Sequence, residues 1–372
     1  MMHQQLRARA LEALRTGDLA QARAAQAELL AALEQAGRLN ADDLMHSALI
    51  AFNSGRPQDA FEFLLRAEAL QPENGLIKWN LVQTQVVARN YARALDLAWA
   101  ALRVMPEYHE AQVVLARIHG GLGHLAEARR YGEQALLAAD ARARGVAWPI
   151  PEAPPKAFDA CAIERNIIAF SLWGRQARYI DNALANARLW PHFYPEWMLR
   201  FYCEGDTVDA DVIQKLRDLG AEVIVMARQK MLYEGLFWRM LVIAQVGVDR
   251  FLVRDVDSLF SVRERIAVDE WLASVRYFHV MRDHYTQTDL IQAGLWGGVG
   301  GVLPPLNDLL QTFKLRHAPT RMVDQAFLGA VVWPTVRQSV LIHDSVYRVF
   351  GAQPYPAYGA APSGGYLGAC PS

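Results

Sequence analysis

Two kinds of periodicity divide the chain. Over residues 1–142 apolar and small residues recur at helical spacing, Ala, Leu, Arg, Glu and Gln dominate, and β-branched runs are few, which predicts helices throughout. A longer period lies over the helical one. Ala60, Ala94 and Ala128 stand 34 residues apart, as do Ala67, Ala101 and Ala135, and as do Phe63, Leu97 and Tyr131. Pro72 and Pro106 repeat the interval, each placed to close a helix. Residues 143–157 carry four prolines and no period, and read as a linker. Beyond them short apolar runs at 166–172, 198–203, 221–226 and 250–254 alternate with helical stretches at 179–189, 211–219 and 237–246. That β-α alternation predicts an α/β domain with a mostly parallel sheet.

The 34-residue unit, with small residues at two helix-crossing positions, resembles the tetratricopeptide repeat (TPR). Alanine lets the two helices of a pair approach closely, and proline ends the second before the next unit begins. Repeats are placed at 41–74, 75–108 and 109–142. The stretch 17–22 echoes 55–60 at a spacing of 38, which suggests a further N-terminal repeat with a four-residue insertion. Stacked pairs form an all-α superhelix whose concave face commonly takes a protein segment; a spacer or dimerisation element is the competing role.

Length and composition fit this division. A chain of 372 residues is too long for one ordinary core, and 52% hydrophobic residues argue for packed structure. A net charge of −1, from 38 basic against 39 acidic residues, gives no sign of a nucleic-acid binder. Cys161, Cys203 and Cys370 are too far apart for a zinc spacing or a disulfide framework, so a reducing cytoplasm is expected. No run approaches the roughly 18 apolar residues of a membrane span. The expected location is cytoplasmic, with peripheral association at the inner membrane left open.

The candidate chemistry sits where the apolar run 250–254 ends in Arg254-Asp255-Val256-Asp257-Ser258. In extended backbone the two aspartates point to one side while Val256 faces the core. Hard oxygen ligands suit Mn2+ or Mg2+, which commonly bridges protein carboxylates to substrate phosphates. Ligands of such sheets bind outside the carboxyl ends of the strands, where these residues lie.

Several short pieces in order extend the picture: FSLWG at 170–174, YPEWMLRFY at 194–202, FWRML at 237–241, RDVDS at 254–258, VDEWLAS at 268–274, HVMRDH at 279–284, GLWGG at 294–298, DQAFL at 324–328 and HDS at 343–345. Together they resemble nucleotide-sugar-dependent glycosyltransferases of the GT-A fold, in particular bacterial enzymes of surface-polysaccharide biosynthesis. The resemblance implies a donor, foremost a UDP-sugar, and a glycan or protein acceptor that the repeats help to engage. It puts Ser171 and Trp173 on the nucleoside, Arg239 and Arg254 with Asp255 on the donor, and His343 beside Asp255 and Asp257 as a third metal ligand. Asp324 is the candidate for donor-sugar or acceptor chemistry. Asp283 and His284 are further candidates for the base of an inverting reaction, which must take the acceptor's proton. Trp296 offers a sugar-stacking face, and Gly297 permits close backbone approach to a ligand. The expected organisation is a repeat domain over 1–142, a linker over 143–160, a GT-A domain over 161–350 and a flexible tail or lid over 351–372. Leu259, where relatives tend to carry arginine, motivates a second reading: a non-catalytic TPR adaptor with a degenerate transferase-like domain.

Overall fold

The structure is a computed structural model and describes residues 2–143, 145–231, 233–313 and 321–356. The chain divides into two compact units, the first holding the residues up to Ala135 together with Lys230 and Met231, the second the remaining described residues from Leu136 onward.

The first unit is helical. It contains α1 (Met2–Thr16), α2 (Leu19–Gln35), α3 (Ala41–Asn53), α4 (Pro57–Leu70), α5 (Gly75–Val87), α6 (Tyr91–Val104), α7 (Ala111–Gly121) and the start of α8 (Leu125–Arg142). These form four successive pairs, and α4, α6 and α8 begin 34 residues apart, as the alanine columns predict. All six column alanines are buried. A close approach is also made at Gly121 of α7, where a Cβ would lie 2.4 Å from the Tyr91 ring of α6. Asp18, Asn40 and Asn74 cap α2, α3 and α5 by accepting backbone N–H bonds. The period therefore fixes both where the helices start and how near they come.

The second unit is built on one sheet. Its strands are β1 (Asn166–Leu172), β2 (Met198–Glu204), β3 (Glu222–Met226), β4 (Arg250–Arg254), β5 (Phe278–Arg282), β6 (Leu295–Val299) and β7 (Val340–Asp344). The seven strands lie in the order β3-β2-β1-β4-β6-β5-β7, and β6 runs antiparallel to both its neighbours. On one face, α9 (Ala177–Phe193), α10 (Ala210–Asp218) and α11 (Val262–Leu272) share a core with Phe170, Phe201 and Leu252. On the other, a 3-10 helix (Glu234–Ala244), α12 (Leu306–Thr312), α13 (Val323–Phe327) and α14 (Trp333–Val336) pack on Phe251, Val253, Trp296 and Ile342.

The chain winds from β1 outward to β3, then returns across the sheet to place β4 on the other side of β1. The strand order thus reverses between β1 and β4, which opens a crevice at their carboxyl ends.

Three expectations need correcting. The helix expected over 237–246 is 3-10 from Glu234 to Ala244. With three residues per turn, this apolar run buries Trp238, Met240, Val242 and Ile243 together with Arg239. The glycine-rich run 294–301 contains β6, so Gly297, expected to allow close approach of a ligand, stands inside a strand. A Cβ at Gly297 would lie 2.6 Å from Leu252 Cδ2 and from the Phe251 carbonyl, and one at Gly298 would lie 2.6 Å from the Phe278 ring. Large side chains of β4 and β5 fill the space the glycines leave. The stretch expected as a linker is also pinned to the sheet unit: Trp148 N–H donates to Thr335 Oγ1 at 3.0 Å, and the Ala153 carbonyl accepts from Tyr277 at 2.7 Å.

Of the segment expected to be a tail or lid, 357–372, with Cys370, lies outside the described residues. Before it, Gln353 pairs beside β7 and Tyr355 is buried among Ala267, Met281 and Leu295.

Candidate active site

Arg239 organises the rim of the crevice. Its backbone N–H donates to Ser171 Oγ at 3.0 Å, tying the 3-10 helix to the end of β1. Its guanidinium donates to Asp255 Oδ1, to the Arg254 carbonyl at 3.1 Å and to Asp324 Oδ2 at 2.8 Å. The guanidinium is buried, and its attraction to both aspartates outweighs that burial, holding its pKa above the ordinary arginine value. Asp324 is buried as well. Burial comes first in pushing its carboxyl up to about 6; Arg239 pulls the other way, but shares its charge with Asp255, whose own charge adds to the upward push.

Asp255 and Asp257 converge, though not by strand alternation. Ser258 N–H donates to the Asp255 carbonyl at 3.1 Å, so residues 255–258 form a turn directly after β4, with Val256 in the core. The turn is held from below by Asn186 on α9. Its fully buried amide donates to the carbonyls of Val256 (3.2 Å) and Ser258 (2.9 Å) and accepts from Phe260 N–H (3.3 Å). Asp257 pairs with Arg178 at 2.7 Å. Its carboxyl is shifted upward by burial, with the Asp255 charge next in weight. Gly294 completes the acid turn: a Cβ there would lie 2.1 Å from Asp255 Oδ2.

Trp173, just beyond β1, is half-buried, with its ring perpendicular to that of Trp238 and close to Gly235. The loops around it are stitched together through Glu204 at the end of β2, which accepts from Thr207 and from Gln229 N–H, while Thr207 Oγ1 accepts from Gly174 N–H at 2.8 Å.

The structure therefore brings Ser171, Arg239, Asp255, Asp257 and Asp324 to one rim. It separates the other candidates. His343 lies on β7, level with Arg254 but three strands away, roughly 14 Å at ordinary strand spacing. Its ring is engaged by His279 at 2.8 Å and Glu270 at 2.9 Å. Arg254 points to the face of α11 and forms a buried pair with Glu264 at 2.6 Å. Trp296 is wholly buried against Phe251, so its face is closed to a sugar, and Gly297 answers to strand packing. Asp283 is buried in a pair with Arg263 of α11, at 2.9 Å. Burial lowers His284 to about 4, far from the basicity a proton acceptor needs near neutrality. Among the described residues no group of three or more His, Cys, Asp and Glu side chains is gathered for a metal. The carboxylates at this rim are Asp255 and Asp257 on the turn and the buried Asp324.

Sequence reasoning missed Asn186, Arg178, Gly294 and Glu204 as parts of the site. Only Gly294 carried a signal, because it stands in a run already marked for close approach.

No family model and no curated protein matches the chain. Solved structures similar to it include an O-GlcNAc transferase of Thermobaculum terrenum (20% identity, 68% of this chain and 46% of that one, TM-score 0.45). They also include MamA from Desulfovibrio magneticus RS-1 (17% identity, 37% and 75%, TM-score 0.34). A third is the mannosyltransferase PcManGT of Pyrobaculum calidifontis, solved with GDP-Man and Mn2+ (12% identity, 63% and 67%, TM-score 0.35). The chain spans less than half the length of the first of these. Among the described residues no helix is long and apolar enough to cross a membrane.

Proposed function

We propose that the sheet unit is a metal-dependent glycosyltransferase of GT-A type that takes a nucleotide-diphosphate sugar, foremost a UDP-sugar, and passes the sugar to a glycan or protein acceptor engaged with help from the TPR-like unit. The reading places the protein in the cytoplasm, at work on surface polysaccharide. The observation that carries it is the acid turn Asp255–Asp257, braced by Arg239 and Asp324, at the point where strand order reverses.

The residues fit a hard divalent cation. Two carboxylates stand on one turn, and the burial of Asp257, with the Asp255 charge next in weight, opposes its ionisation in a way that a bound cation relieves. Bound there, Mn2+ or Mg2+ supplies neutralisation of the charge that gathers on the departing diphosphate. Arg239 fixes the orientation of Asp255 and keeps Asp324 beside it. Trp173 offers an aromatic face beyond β1 for the nucleoside base. Asp324 is the proton acceptor or sugar contact that this rim provides, since Asp283 and His284 are committed elsewhere.

Incubation with Mn2+ and a panel of nucleotide sugars tests the reading. Release or transfer of sugar is expected, with Asp257→Ala reducing turnover by about a hundredfold or more. Equal turnover by Asp257→Ala would remove the metal role. Absence of turnover and of nucleotide binding would favour the adaptor, for which Arg239 and Arg178 simply neutralise a structural acid cluster.

A further inference from the structure

The two arginines that hold the acid turn differ in one respect. Arg239 is buried and fixed by four hydrogen bonds, to Ser171, Arg254, Asp255 and Asp324. Arg178 sits in the first turn of α9 with its side chain 53% exposed, and its NH2 donates to Asp257 Oδ2 at 2.7 Å. Its guanidinium also lies 4.9 Å from the centre of the neighbouring Tyr179 ring, a surface on which an arginine can rest while it changes partner. Asp257 remains 24% exposed. An arginine in this position occupies the charge that a cation would otherwise neutralise.

We propose that Arg178 is a placeholder for the cation and then a ligand of the donor: it neutralises Asp257 in the ligand-free chain, yields that carboxylate when the cation binds, and turns to the donor's diphosphate. This rests on the reading of the site given above. Before binding, each carboxylate of the turn has a guanidinium partner; afterwards the cation takes those two carboxylates, and the displaced guanidinium of Arg178 meets the phosphate oxygens that arrive with it. A planar guanidinium suits that second task because it donates to phosphate in a bidentate manner. Arg239, clamped on both sides, stays in place. Order of binding follows: cation and donor arrive together more readily than the cation alone, because only the donor gives Arg178 somewhere to go.

The test measures binding by the full-length protein, with Mn2+ followed by electron paramagnetic resonance and UDP by calorimetry in the presence of saturating Mn2+. Arg178→Gln removes the competing charge and the phosphate contact together. It is therefore expected to bind Mn2+ alone about two- to five-fold more tightly, the range set by an exposed ion pair. The same variant is expected to bind UDP about tenfold more weakly, through loss of one charge-assisted contact. Arg178→Lys keeps the charge and is expected to restore most of the Mn2+ value but only part of the UDP value, because an ammonium lacks the planar fork. An arginine with a purely structural role leaves both affinities unchanged or lowers both, and either result overturns the proposal. If the unaltered protein binds neither Mn2+ nor UDP, the site reading itself falls and the placeholder with it; binding without the opposed shifts sinks the placeholder alone.

Discussion

Arg239 holds two carboxylates while almost hidden from water, and its two partners are not equivalent. Asp255 is partly exposed, whereas Asp324 is buried. Asp324 consequently binds its proton more tightly in the folded chain, near 6, than an unfolded aspartate near 3.8. The sign follows from that order. The buried acid adds its full share of stability below the unfolded value and loses it as pH rises through the folded one. A shift of this size is worth about 3 kcal/mol. Asp324→Asn should therefore gain on the unaltered protein by about 3 kcal/mol between roughly pH 4 and pH 7, measured as the difference in urea unfolding at the two ends. If Asp324 is also the proton acceptor, turnover of the unaltered protein climbs through about pH 6 and that of the variant does not. Arg239→Lys tests the other side of the pair. A lysine cannot reach both acids with a planar fork; where it keeps the exposed Asp255, the buried Asp324 is left unpaired, with an expected loss of about 3 kcal/mol in stability.

At the level of elements, the acid turn depends on a helix that precedes it by many residues. Asn186 on α9 satisfies two carbonyls and one N–H of the segment 256–260. Asn186→Ala leaves these buried groups without partners at about 1–3 kcal/mol. It should weaken Mn2+ binding while leaving the sheet intact, which circular dichroism beside a Mn2+ titration would show. Gly297→Ala attacks β6 instead. Its new methyl meets Leu252 and the Phe251 carbonyl, so a loss of about 1–3 kcal/mol is expected in thermal unfolding.

These elements also mark the limit of what the sequence discloses. The repeats were legible because a fixed period recurs within the chain, and Asp255 and Asp257 because they follow an apolar run that could only be a strand. Arg239 and Asp324 were legible as members of ordered short pieces, but their pairing across 85 residues was not. Nothing local says which arginine meets which acid. His343 shows the reverse: a histidine in a suggestive piece whose partners, His279 and Glu270, lie 64 and 73 residues earlier in the chain. The edge position of β7 decides its role, and sheet order is not written in any single strand.

At the scale of the whole molecule, the two units have separate hydrophobic cores. The helical cores draw on residues such as Leu44, Leu64, Val82, Ala94 and Ile118, and the sheet cores on residues from Leu136 onward. Stability and ligand response should then be separable. Ala94 is buried at the crossing of a helix pair, and Ala94→Leu forces extra methyl groups into that seam at about 1–3 kcal/mol. Mn2+ with UDP, if the proposed site binds them, stabilises the sheet unit by about 2.7 kcal/mol at a hundredfold excess over Kd. Calorimetry of the Ala94→Leu protein should show a lowered transition for the helical unit and an undiminished upward shift of the sheet unit when Mn2+ and UDP are added. Loss of the ligand-induced shift in that variant would mean that the repeats take part in forming the donor site, and the division of labour between scaffold and sheet would have to be abandoned.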